Sequence, residues 1–489
     1  MHAPSSRLQT VQSAPIRENG RYVVYWMIAQ RRTRYHFALQ HALQMARDLN
    51  VPLVVVEALS CSYRWASDRM HAFAIEGMRD QRDAFAGTAI EYYPYVEPAA
   101  DAGKGFHEAL AKEACLYVTD HWPCFHMPKW VDMVASAIDV QMVTVDSCGI
   151  LPVRSIEKPF ARAHDFRRQM HRDVYDALQE MPLAYPLKGA PTAEFTGFPK
   201  GFESKYPRTD LDAIDLAALP IDHEVTPVTS APGGQKEALR LLDRFIDERL
   251  PNYLARNKPE VKAASGLSPW LHWGHISPHE VFQRVADHEG WDPSTIEGQK
   301  ATGKREGWWG MSPEAEGFMD ELITWREVCF NTCQNRPKDY GKYDALPDFA
   351  KKTLAEHAAD KRPQIYSLEE FEAAKTHDDL WNAAQNQLRR DGIIHNYLRM
   401  LWGKKILHWS ESPQEAHRIM VELNNKYGLD GRDPNSWGGI MWTLGRYDRA
   451  WGPEREIFGK VRYMTSENTA RKVKVKNYVA EYTDTGSLF

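Results

Sequence analysis

The chain has 489 residues, 43% hydrophobic and 26% charged, with a formal net charge of −5, a globular composition too long for one hydrophobic core. No apolar run approaches the roughly 20 residues of a membrane helix, so a soluble chain is expected. The acidic balance excludes a chain that grips polyanions over its whole surface, and Cys61, Cys115, Cys124, Cys148, Cys329 and Cys333 lack zinc or iron–sulfur spacing, so no metal is expected.

Residues 1–20 are polar, bear Pro and Ser, and lack the apolar core of a signal peptide; a disordered tail and a cytoplasmic location are expected. Residues 21–186 alternate short apolar runs (22–28, 53–59, 115–119 and 140–145) with amphipathic stretches, the pattern of parallel strands buried on both faces. Between the first two runs Leu39, Ala42, Leu43, Ala46 and Leu49 recur at helical spacing, completing a strand–helix–strand unit with a right-handed crossover. This predicts a Rossmann-like α/β domain with a parallel sheet. Its first strand runs into Gln30-Arg31-Arg32-Thr33, where a dinucleotide site needs a glycine-rich turn, so NAD binding is rejected.

Residues 187–235, rich in Pro, Gly, Thr and Asp without sustained period, read as an interdomain linker. From residue 236 to 480 the chain turns helical. Ser277-Pro278-His279-Glu280, Ser367-Leu368-Glu369-Glu370 and Ser412-Pro413-Gln414-Glu415 each place a Ser N-cap three residues before a Glu. A tail is expected over 481–489. Residues 446–476 hold nine Lys/Arg against four Asp/Glu, a local basic surplus. Trp402 and Trp409 lie seven residues apart on one predicted helix, about 10 Å of rise along one face. Trp381 sits on the preceding helix, and a turn at Asp391-Gly392 packs the two together.

The run Ser265-Gly266-Leu267-Ser268-Pro269 continues as Trp270-Leu271-His272-Trp273-Gly274-His275-Ile276-Ser277-Pro278. Taken alone, its hydroxyls and small residues before a helix-opening Pro are a weak anion-binding signal. Together with Arg256-Asn257, residues 366–410, Tyr427-Gly428-Leu429-Asp430-Gly431-Arg432-Asp433-Pro434-Asn435, Ile457-Phe458-Gly459-Lys460-Val461-Arg462-Tyr463-Met464 and the first-strand Tyr25-Trp26-Met27, it resembles the class II cyclobutane pyrimidine dimer photolyases of the photolyase/cryptochrome family. The resemblance covers most of the chain except 290–312, which reads as an insertion, and the tails.

That resemblance implies an all-α FAD-binding domain after the α/β domain, and light-driven repair of pyrimidine dimers in DNA. Ser265, Gly266, Leu267 and Ser268 are then placed at the FAD diphosphate. Arg399 and Asp430 are a charged pair flanking the isoalloxazine, and Asn424 an amide near its N5. Trp402, Trp381 and Trp409 form a photoreduction relay running from the flavin to an exposed end. Glu321, Trp325, Met400 and Trp442 contact the extruded dimer, which needs apolar and aromatic walls and a carboxyl for its polar edge. Arg256, Asn257, Asn396, Arg449, Trp451 and Arg462 fall on the DNA side, where the basic stretch becomes a DNA-facing surface. A deazaflavin-type antenna chromophore, a monomeric state and no obligate protein partner are further expectations.

Three stretches depart from the class II pattern. Ile323-Thr324-Trp325-Arg326-Glu327 and His395-Asn396-Tyr397-Leu398-Arg399-Met400 are closer to class I photolyases. Leu444-Gly445-Arg446-Tyr447-Asp448 adds bulk and charge beside the presumed DNA rim. Asn396 favours cyclobutane dimers, because (6–4) photolyases place a histidine there for proton transfer. A photolyase with shifted lesion preference and a cryptochrome-like photoreceptor stay open as alternatives. A pure sensor has little reason to hold Glu321, Met400, Trp442, Arg449 and Arg462 together.

Overall fold

The computed structural model describes residues 2–190 and 193–483, and their contacts divide the chain into two units. The first comprises residues 1–156, 173–242 and 267–287, and the second 157–172, 243–266 and 288–489. In chain order the strands are β1 (Leu8–Gln12), β2 (Tyr22–Trp26), β3 (Leu53–Leu59), β4 (Glu91–Val96), β5 (Ala114–Asp120) and β6 (Met142–Val145). The helices are α1 (Phe37–Asp48), α2 (Asp68–Phe85), α3 (Phe106–Ala111), α4 (Met127–Ala137), α5 (Ala163–Gln179), α6 (Phe202–Lys205), α7 (Gln235–Arg244), α8 (Ser268–His272), α9 (Pro278–His288) and α10 (Pro313–Met319). They continue as α11 (Arg326–Asn335), α12 (Asp348–Glu356), α13 (Leu368–Glu372), α14 (Asp379–Asp391), α15 (Asn396–Trp409), α16 (Pro413–Tyr427), α17 (Pro434–Thr443), α18 (Ser466–Lys472) and α19 (Lys476–Thr483).

The sheet of the first unit runs β1-β6-β5-β2-β3-β4. Its four pairings from β6 to β4 are parallel, and one helix from α1 to α4 connects each successive pair of strands from β2 to β6. Every residue of β2, β5 and β6 is buried, because parallel strands covered on both faces have no side to give to solvent. Two strands were not expected. Pro94 interrupts the β pattern of β4, yet proline is tolerated at a sheet edge, which is where β4 lies. β1 falls within the segment expected to be a disordered tail; Leu8 to Gln12 instead pair antiparallel with β6, and Arg7 is anchored by carbonyls of Gly149 and Ile150 at 3.1 and 2.6 Å.

The order of the strands reverses between β2 and β5, the place where open α/β sheets bind ligands. Here the loop after β2 is already committed. Asp120, at the end of β5, accepts the backbone N–H groups of Ile28, Ala29 and Gln30 at 3.1, 2.9 and 2.9 Å and the Tyr25 hydroxyl at 2.8 Å. An internal carboxylate thus takes the position a phosphate would occupy in a dinucleotide fold. Gly274, at φ +72°, lies so close to the Ala29 carbonyl that a Cβ would collide with it, and Arg32 donates to the Gly274 carbonyl at 3.1 Å.

Residues 187–235, expected as a linker, include α6 and fold onto β4 within this unit. Thr209 N–H donates to Pro94 O at 3.0 Å, the Tyr93 hydroxyl to Tyr206 O, and Phe198 and Phe202 pack against the Tyr93 ring. Their aromatic side chains cover an edge that would otherwise stay open.

The second unit is helical, with α14 packed on α15 and α19, α15 on α16 and α17, and α11 on α17. Ser367 closes a full capping box, Ser412 Oγ accepts from Glu415 N, and α9 of the first unit begins directly after Ser277. Residues 290–312, read as an insertion, are tied down: Trp308 stacks on His171 at 3.7 Å, and Glu316 accepts the N–H groups of Gly307 and Gly310. Of the expected C-terminal tail, 481–483 complete α19, and 484–489 lie outside the described residues.

Candidate functional site

α15 carries the largest share of the expected site. Asn396, Arg399 and Met400 occupy its first turns and Trp402 and Trp409 its body, with Gly392 at φ +66° ending α14 just before it. Arg399 Nη2 donates to both carboxylate oxygens of Asp430, at 2.9 and 3.1 Å. Beside this pair lies a buried polar network. Asn424 Nδ2 donates to Ser436 Oγ at 2.8 Å, and Asn425 Oδ1 accepts from Ser436 Oγ at 3.0 Å and Arg432 N–H at 2.8 Å. Burial pushes the neighbouring Asp433 carboxyl up to about 6, with the charge of Asp430 adding to it. The buried Arg399 Nε and Asn425 Nδ2 find no acceptor among the described residues. Unmet buried donors beside an ion pair suit a bound group with a polar edge, since leaving them unmet costs about 1–3 kcal/mol each; these are the residues that fit a flavin ring.

Trp381, Trp402 and Trp409 are brought together by α14 and α15. The rings of Trp381 and Trp409 are 6.2 Å apart, Trp381 Nε1 donates to the Trp402 carbonyl at 3.0 Å, and Trp402 Nε1 donates to Gln385 Oε1 at 2.9 Å. Trp409, expected at the exposed end, is 1% exposed. Tyr366 and His377 cover it, with rings at 5.8 and 5.0 Å, and the Lys405 ammonium lies 4.9 Å from its centroid. Gln385, Tyr366 and His377 were missed. Gln385 is one turn after Trp381 on α14, a spacing that was available; nothing in the pattern brings Tyr366 and His377 to Trp409.

Glu321 accepts from Arg256 Nη2 at 2.7 Å. The Glu321 side chain is 32% exposed, yet burial pushes its carboxyl above the usual range, with Arg256 pulling the other way. Trp325 ends the wide turn of residues 320–325 that begins beside Glu321 and leads into α11.

Trp442, Trp451, Arg449 and Arg462 form an alternating series of cations and indoles. The Arg462 guanidinium stands 5.8 Å from Trp442 and 4.0 Å from Trp451, and that of Arg449 stands 4.4 Å from Trp451. Asp448 locks the series, accepting from Arg462 Nε at 2.7 Å and Trp451 Nε1 at 3.0 Å. The bulk and charge expected on the DNA rim at 444–448 are turned inward: Arg446 is 4% exposed and donates to the Tyr340 and Ala345 carbonyls at 2.7 and 2.8 Å. One cation of the 446–476 surplus is therefore structural.

Asn257 and Asn396 are exposed. Ser265 and Gly266 close a segment of the second unit, where Arg249 Nη1 donates to the Ala264 and Ser265 carbonyls at 3.2 and 3.4 Å. Leu267 and Ser268 begin a segment of the first unit, and α8, which Ser268 opens, has only five residues. No helix among the described residues is long and apolar enough to cross a membrane.

A mainly parallel α/β unit together with a helical unit is the fold of the photolyases. A crystal structure of a bacterial class III photolyase from Agrobacterium tumefaciens matches 95% of this chain and 86% of its own with a TM-score of 0.67, at 18% identity. No family model matches the chain. A deoxyribodipyrimidine photo-lyase of Methanothermobacter thermautotrophicus is 35% identical over 94% of this chain and 94% of its own; that of Potorous tridactylus is 32% identical over 96% of this chain and 82% of its own. The chain belongs to the deoxyribodipyrimidine photo-lyase family.

Proposed function

We propose that this protein splits cyclobutane pyrimidine dimers in DNA, driven by blue light, with FAD held in its helical unit. The observation that carries the reading is the end-to-end kinship with the photo-lyases; the grouping of the site side chains supports it. When bound in its reduced form, FAD would supply the light-driven electron-donor chemistry that splitting the dimer needs.

The residues have separate tasks. Arg399 and Asp430 hold the flavin ring between fixed charges, and the Asn424 amide meets it as a neutral hydrogen-bonding group. The dimer leaves the base stack and enters a pocket walled by Trp325, Met400 and Trp442. There the Glu321 carboxyl, pushed above the usual range by burial and held by Arg256, hydrogen-bonds the polar edge of the dimer. Arg449, Trp451 and Arg462, with Arg256, Asn257 and Asn396, hold the DNA on either side; guanidinium groups pair with phosphates and an indole fills the gap left by the lesion. Trp402, Trp381 and Trp409 line up as a relay of indoles that would carry an electron toward the flavin site. A deazaflavin-type antenna in the α/β unit, a monomeric state and a cytoplasmic location complete the reading.

The test offers the reduced, purified protein two duplexes under blue light, one with a thymine cyclobutane dimer and one with a (6–4) photoproduct, each with a dark control. Light-dependent loss of only the cyclobutane dimer is expected. Loss of the (6–4) product would overturn the lesion assignment, and repair of neither lesion by protein with reducible FAD would favour the photoreceptor.

A further inference from the structure

α17 ends at Thr443, whose carbonyl is among those an α-helix leaves without an internal donor. Lys404 on α15 supplies one: its Nζ donates to Thr443 O at 2.6 Å. The same ammonium lies 5.0 Å from the centroid of the Trp442 indole. Lys404 is 0% exposed, and among the described residues no carboxylate stands within ion-pair distance of it. Lys405, the next residue, has Asp378 at 3.7 Å. Burying an ammonium without a counter-ion costs several kcal/mol, and a neutral amide would serve a helix end as well. What only a cation can make is the second contact, with the face of the indole.

We propose that Lys404 is a positioning residue for lesion recognition: its charge, held between the end of α17 and the Trp442 ring, fixes the indole that meets the dimer. The proposal rests on the reading of Trp442 as a wall of the dimer pocket.

It carries a pH dependence. Burial pulls the Lys404 ammonium down to about 7, with Asp448 opposing and Arg462 reinforcing. Those two charged groups face it from the segment after α17. Burial would raise Asp448, but hydrogen bonds from Arg462, the Arg449 N–H and Trp451 hold it below the usual carboxylate range, and a guanidinium keeps its proton throughout. From α16 the neighbour at this level is Met420, beside Gly403. One turn further on α15, burial pulls His408 down to about 4, so it is neutral near pH 7. Lys404 is thus the member of this cluster that titrates there. Below about 7 it is charged and the indole is fixed; above, the contact is lost.

The experiment measures, in the dark, the affinity of the flavin-loaded protein for a duplex with one cyclobutane dimer and for the same undamaged duplex. It runs from about pH 6 to about pH 8.5 with wild type, Lys404→Arg and Lys404→Met, spanning the lysine's titration. The ratio of the two affinities should fall about fivefold in wild type as pH rises, the worth of one partly buried cation–π contact. Lys404→Arg should keep a high ratio at every pH, and Lys404→Met a low ratio that ignores pH. The wild-type profile needs no variant to fold. A wild-type ratio that is flat with pH, or a Lys404→Met ratio equal to wild type at low pH, overturns the proposal alone. A wild type that does not distinguish the two duplexes at any pH overturns the pocket reading and the proposal with it.

Discussion

Glu321 is held by Arg256 at 2.7 Å, and burial favours its neutral form. Glu321→Ala should lower the rate of dimer repair about tenfold, the worth of one hydrogen bond plus the guanidinium left without its carboxylate, while Glu321→Gln, which keeps a donor, should lose much less. Repair time courses with saturating dimer check this, and equal losses in the two variants would remove the donor role. A carboxyl raised by burial keeps its proton to higher pH than a free glutamate, so this contribution fades as pH climbs through the raised value. At this scale the sequence was a poor guide to the surroundings of the residues it singled out. Arg399, Asp430 and Arg462 could be singled out because each sits in a quoted stretch, whereas Trp442 was placed by the resemblance alone. The burial of Trp409 and Arg446 was not legible, since it depends on Tyr366, His377, Tyr340 and Ala345 arriving from other stretches of chain.

Two elements carry their own predictions. α14 and α15 hold the three indoles by contacts that include the Trp381 N–H on the Trp402 carbonyl. Trp402→Phe keeps an aromatic in the core but breaks the chain of indoles; it should abolish photoreduction of the flavin while chemically reduced protein still repairs. Unchanged photoreduction, followed by flavin absorbance under blue light, would take Trp402 out of the relay. In the α/β unit, Asp120 ties β5 to the loop after β2. Burial alone would raise its carboxyl, but hydrogen bonds from His36 and the Gln30 and Ala29 N–H groups hold it below the usual range. Asp120→Ala strands those buried donors and should cost about 3 kcal/mol or more of stability, read from denaturant unfolding; a loss under about 0.5 kcal/mol would contradict the assignment. The inner strands and α1 were legible because buried parallel strands and amphipathic helices write distinct periods. The two edge strands were not. β4 carries a proline and β1 is half polar, and both gain their structure from the neighbour they pair with rather than from a period of their own.

Across the whole molecule, burial pulls His41, His71, His171 and His408 down to about 4 and His107 to about 3. Between those values and the ordinary 6.5 the unfolded chain takes up protons that the folded chain refuses, so stability is lost as pH falls from about 6.5. Glu57 and Asp433, raised by burial to about 7 and about 6, and Glu76 and Glu321, raised likewise, act in the opposite sense, but His36, His275, His395 and His417 are also pulled down, so the imidazoles outnumber them. The melting temperature should therefore drop by about 5 °C or more between about pH 7 and about pH 5, and a flat or rising profile would contradict the burial of these imidazoles. Residues 236–242 and 267–287, expected in the helical domain, group with the α/β unit instead, and this interleaving, like that of 157–172, follows from long-range packing that no local pattern reports. The most direct test of the account is the recovery of thymine ultraviolet absorbance when reduced, FAD-loaded protein is illuminated with an oligothymidylate carrying cyclobutane dimers. Recovery in blue light and none in the dark is the expected result; no recovery in the light, with the flavin bound and reduced and the DNA bound, would contradict repair as the function of this chain.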